Sequence, residues 1–222
     1  MSRGALACVV PLLLFSADDP VILTANDIAD GFYDEVPSHV LGRADWLALY
    51  VSDSRSRLAA TPVEFAQVGD AGYPEFEIVT DSPDPVLLFA GVPGLTPGDV
   101  VTVTRWPSTL SAEEPVALFE FGARDYSVRL SASDVSLCDA SIALVFGDRV
   151  QTLYTPADNP FACDEPHFDV EWAGDLDRDG ALDLLVTFSS KYSHYPRKLF
   201  LSSTAGPTDL VGEPISYEKT AS

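Results

Sequence analysis

Positive charge is scarce in this chain. Lys and Arg number 13 against 34 Asp and Glu, a net charge of −21. A field of that sign repels nucleic acid and anionic lipid, so nucleic-acid binding is excluded first. Histidine is scarcer still, and His39, His167 and His194 stand far apart. No G-x-S-x-G elbow, H-E-x-x-H helix, phosphate loop or dinucleotide fingerprint occurs, so no recognisable enzyme chemistry is written in the motifs. Helical periodicity is thin: residues 25–36 could hold a turn or two, and Gly31 interrupts them. The apolar run at residues 5–15 is too short to span a bilayer as a helix.

That run reads instead as export. Arg3 precedes it, and Ser16 and Ala17 follow it before Asp18 and Asp19. This is the layout of a secretory signal over residues 1–17; a buried first strand is the competing reading. Removing it takes away Cys8 and leaves Cys138 and Cys163. An even pair outside the reducing cytosol is expected to form a disulfide. The location expected is secreted, periplasmic or cell-surface. Neither Cys sits in a C-x-x-C or beside a His pair, which argues against zinc.

What remains is short apolar runs cut by turns. Runs begin at Trp46, Val63, Phe76, Val86, Val100, Val116 and Tyr126. Residues 142–146 and 150–154 flank Gly147-Asp148 as a tight hairpin. The 17 prolines fall mostly between runs, where they fix turns. Ten to twelve such strands predict an all-β antiparallel sandwich or barrel-like domain. A soft boundary near Ser131–Ser136 would divide an N-terminal β module (18–135) from a C-terminal β region (136–222); the alternative is one domain made of both. The tail after Gly206 is read as loosely held.

One stretch carries chemistry: Asp175-Leu176-Asp177-Arg178-Asp179-Gly180-Ala181-Leu182-Asp183. Crowded carboxylates repel, and a divalent cation removes that cost. The side chains of Asp175, Asp177, Asp179 and Asp183, with the Ala181 carbonyl, form an oxygen-only set suited to calcium. Magnesium prefers a tight octahedron that retains waters, and zinc prefers Cys and His. Gly180 permits the sharp turn. An EF-hand is excluded, because Val186 stands at position 12 and both flanks alternate as strands.

Residues 174–180 and then Asp183-Leu184-Leu185-Val186, with a further strand at Lys198–Leu201, resemble the integrin-type (FG-GAP, or VCBS-type) calcium repeat. The wider arrangement resembles secreted bacterial proteins that carry a single such repeat. The resemblance, over roughly residues 168–203, implies a structural calcium ion. Only one copy occurs, and a propeller needs at least four blades, so a complete propeller is not expected.

The expected function is therefore a secreted calcium-binding β domain that acts by binding or as part of a surface. Its protein or glycan partner is not named by the sequence, and no membrane span is expected. The rival reading is a secreted hydrolase, with polysaccharide as its candidate substrate. His194, read as a loop residue, would then line a site above the calcium hairpin. Glu75 with Glu77, or Glu113 with Glu114, would be its acids, though such pairs arise by chance in an acidic chain. Trp46, Trp106 and Trp172 could stack sugars, but core packing suits them better. Trp172 alternates with Phe168 and Val170.

Overall fold

The computed structural model describes residues 19–33, 35–52, 55–68, 74–82, 84–104, 107–133, 135–158 and 162–220. The expected signal segment and Trp106 lie outside them. The fold is all-β, with one short helix, Ala25–Asp30. No helix among the described residues is long and apolar enough to cross a membrane.

Ten strands make one large antiparallel sheet that curls into a nearly closed barrel. Its order begins Val21–Thr24, Leu87–Ala90, Leu47–Val51, Ser56–Ala60 and Gly98–Thr102. It continues through His167–Asp175, Asp183–Ser189, His194–Phe200 and Ile215–Thr220, with Ser108–Thr109 also paired to His167–Asp175. The pairing of Gly98–Thr102 with His167–Asp175 joins the two halves of the chain. A buried ion pair then ties one rim to the other. Asp27, on the helix after the first strand, receives Arg197 from His194–Phe200 at 2.6 Å.

Inside the barrel lie Trp46, Leu49, Leu58, Leu88, Leu185 and Leu199. Phe32–Tyr33, Glu75–Thr80 and Val63–Gln67 form a small sheet whose Phe65, Phe76 and Ile78 pack on that core. A four-stranded meander, Val116–Phe121, Arg124–Ser131, Ser141–Phe146 and Arg149–Tyr154, covers the other face of the strands that flank the acidic turn. Phe119, Val128, Leu144 and Tyr154 meet Phe168, Val170, Val186 and Phe188 there. The central strand Asp183–Ser189 is buried along its whole length, as a strand covered on both faces must be.

Several expectations are met closely. The hairpin turns at Gly147, whose φ of 56° suits the residue. The helix stops at Gly31, with φ of 67°, where an added Cβ would lie 2.2 Å from the Phe76 carbonyl oxygen. Others are corrected. The tail is not loose, because Ile215–Thr220 pairs along its length with His194–Phe200. Trp172 is buried, yet it does not share a face with Phe168 and Val170. A bulge between Val170 and Trp172 shifts the register, and one extra residue reverses the facing of everything beyond it. Trp172 therefore enters the barrel core while Phe168 and Val170 pack under the meander.

Candidate metal centre

The acidic turn connects two adjacent antiparallel strands, His167–Asp175 and Asp183–Ser189, as the alternating flanks predict. Arg178 takes φ of 69° and Gly180 φ of 85°, two left-handed residues that fold the chain back on itself. One carboxylate oxygen each from Asp175, Asp177 and Asp183 lies within 4.8 Å of the other two. Asp179 is not in that trio. Its Oδ1 accepts from the Ala181 N–H at 2.8 Å, and the Ser202 hydroxyl reaches both of its oxygens at 2.9 and 3.1 Å. Ala181 supplies backbone at the turn's far side and is half-buried.

Burial differs sharply among these groups. Asp183 is wholly buried and Asp175 nearly so, while Asp179 is exposed. Asp183 Oδ2 accepts from the Leu176 N–H at 2.7 Å, and Oδ1 accepts from the Ser202 N–H at 2.8 Å. Those donors do not offset the cost of removing a charge from water. Burial, with help from neighbouring Asp177, pushes the Asp183 carboxyl up to about 7. Burial also raises the Asp175 carboxyl, although the N–H groups of Asp179 and Gly180 donate to its two oxygens at 3.1 Å.

The turn's one cation does not serve these carboxylates. Arg178 reaches across to the turn before Gly98–Thr102, donating to the Pro97 carbonyl at 3.1 Å and to the Thr96 hydroxyl. An added Cβ on Gly98 would strike its guanidinium, so glycine makes room for this contact. Ser202 and Ser203 belong to a short 3-10 turn, Ser202–Thr204, just beyond His194–Phe200. Ser203 donates to Asp177 Oδ2. Sequence reasoning missed both serines, since nothing in a Ser-Ser pair some twenty residues downstream marks it as a neighbour of the turn.

The residues considered for catalysis do not gather. His194 is not in a loop: it opens a strand, is 4% exposed, and stands at the end opposite the serine turn. Glu75 and Glu77 share the exposed face of Glu75–Thr80, the middle strand of the small sheet. Glu113 and Glu114 occupy an exposed turn. Trp46 and Trp172 are core residues, and the Trp172 indole donates to the Thr102 hydroxyl at 3.1 Å. His39 lies at residues 37–42, apart from the other two histidines in the chain and in the sheet order.

No protein-family model matches this chain, and no curated protein or solved structure resembles it.

Proposed function

We propose that the acidic turn holds a calcium ion that locks the barrel, and that the protein is an exported domain acting by binding rather than by catalysis. The observation that carries this is the convergence of Asp175, Asp177 and Asp183 oxygens while the turn's own Arg178 is directed to the Pro97 carbonyl instead. Asp179 and the Ala181 carbonyl would supply the further oxygens that the spacing of the turn calls for. The set contains no sulfur or imidazole, which favours a hard cation over zinc. The residues fit: two buried carboxylates are held by backbone donors, and a third is partly open to solvent.

An ion there would neutralise charge that now costs stability and would cross-link four segments. These are the two strands of the hairpin, the serine turn and, through Arg178, the Thr96–Gly98 turn. Its role is thus structural. The Cys138–Cys163 disulfide, with Cα atoms 5.6 Å apart, supports an oxidising, extracytoplasmic location. Such places hold abundant calcium, so a modest affinity of about 10⁻⁴ to 10⁻³ M suffices.

Thermal melts test the reading. Calcium at a hundredfold excess over its dissociation constant stabilises the fold by about 2.7 kcal/mol. The midpoint falls with chelator and recovers with calcium but not magnesium. Replacing both Asp177 and Asp179 with Ala abolishes that response. A response that survives in the double variant refutes the ligand assignment.

A further inference from the structure

A second polar constellation lies inside the barrel, along the strands away from the acidic turn. Register places Thr109, Asp169, Thr187, Arg197 and Tyr217 in one row across five strands. Partners in register share a face, and for Arg197 it is the face of Leu199 and Tyr217, inside the barrel. The next row outward pairs His167 with Ser189, and the His167 and Tyr195 rings stand 5.2 Å apart. Glu171 lies two residues beyond Asp169 and so on the same face, where its Oε1 accepts from the Thr187 hydroxyl at 2.8 Å. A polar lining inside a barrel is costly to stability and calls for partners.

The floor of this lining is unsatisfied. Arg197 is 4% exposed, and only its Nη2 is paired, with Asp27. Nε and Nη1 are buried and meet no acceptor among the described residues, and neither does Nε2 of His167. Buried donors left in this way cost free energy that an incoming acceptor would recover. Around the floor, His167, Asp169, Glu171 and Tyr195 are all partly exposed. Buried donors without acceptors, next to partly exposed polar side chains, are groups that a polar ligand could recognise.

The rim chemistry narrows the class of ligand. Three carboxylates, Asp27, Asp169 and Glu171, lie near one guanidinium. Burial raises Glu171's pKa, and the charges of Asp169 and Asp27 push the same way. An anion would meet that repulsion, and a cation would meet Arg197's donors. A molecule that both accepts and donates, without charge, satisfies both sides. Hydroxyl groups do this. Thr187 fills one acceptor position on Glu171, and a carboxylate offers about four. The Tyr195 ring provides an apolar wall.

We propose that this end of the barrel binds a neutral polyhydroxylated ligand, a saccharide unit, whose oxygens accept from Arg197 and whose hydroxyls donate to Glu171 and Asp169. No residue of the acidic turn takes part, so the site stands or falls separately from the calcium reading.

Saturation-transfer NMR on the full chain tests it, with glucose, mannose, galactose, N-acetylglucosamine and cellobiose as probes and acetate and citrate as anionic controls. At least one sugar shows transfer, and the acids show none. Glu171→Gln, which keeps an acceptor for Thr187, weakens sugar binding by about tenfold or more through loss of a charge-assisted hydrogen bond. Tyr195→Ala weakens it too. Melting curves identify variants that have lost the fold, and Asp169→Asn replaces any that has. The proposal is overturned if no sugar shows transfer, if the acids bind in their place, or if folded Glu171→Gln and Tyr195→Ala variants bind sugar as the parent does.

Discussion

Ser202 approaches one oxygen twice: its N–H donates to Oδ1 of Asp183 at 2.8 Å, and its hydroxyl oxygen stands 2.9 Å from the same atom. The residues are 19 positions apart and are joined only by the return strand of the sheet. The contact makes the buried carboxylate part of two structures at once, the acidic turn and the chain that closes over it. Asp183 is therefore the residue through which a metal ion would be felt by the fold.

Its titration gives a first prediction, for protein stripped of metal by chelator. The folded carboxyl sits at about 7, and an unfolded Asp titrates near 3.9. The folded state therefore binds the proton more tightly. The stability from this group is fully present below about pH 4 and is lost as pH rises through 7. In the chelated protein, the difference in midpoint between parent and Asp183→Asn shifts against the parent across that window. Calcium reverses the trend, because the ion needs the ionised carboxylate. The calcium-induced rise in midpoint thus grows from pH 5 to pH 7. A rise that is flat over that range would remove Asp183 from the ligand set.

The disulfide supports a second prediction. Cys138 and Cys163, 25 positions apart in the sequence, enclose the hairpin Ser141–Phe146 and Arg149–Tyr154. A loop of that size constrains the unfolded chain by about 3 kcal/mol in the chain-entropy model. For a domain of this length the midpoint falls by about 6–12 °C. Replacing both cysteines with Ser produces the loss, and adding reductant to that variant produces no further loss. Calcium dependence survives in it, since the disulfide does not touch the acidic turn.

Legibility divided along physical lines. Alternation gave away the meander, because its strands present one face to a core, while the central strand Asp183–Ser189, buried on both faces, was marked by its β-branched and aromatic residues. Val116–Phe121 is the clearest, with exposed and buried residues strictly alternating. Ser56–Ala60 and Ile215–Thr220 escaped notice, the first short and mixed, the second lying in a polar tail. Their strand character comes from the neighbours they pair with. The acidic turn was readable because all its chemistry is local. Ser202 and Arg197 were not, because their partners are supplied by topology. The bulge that turns Trp172 inward also left no mark, since Phe-Asp-Val-Glu-Trp alternates without a break.

The Asp27–Arg197 pair yields the last prediction. Both side chains are 5% exposed, and the Thr24 N–H and hydroxyl also donate to Asp27 Oδ2, at 2.8 and 2.9 Å. The pair spans the seam where the helix after the first strand meets the strand His194–Phe200. Removing one partner strands a buried charge, and such losses cost about 3–5 kcal/mol. Replacing both removes the stranded charge along with the attraction. Arg197→Met alone is therefore destabilised by that amount in urea melts. Adding Asp27→Asn to Arg197→Met recovers about half of the loss or more, since Asn still accepts from Thr24 and a buried pair has little net worth against an apolar replacement. If the two changes simply add, the charges do not interact across the seam, and the barrel is closed there by packing of Tyr217 and its neighbours alone.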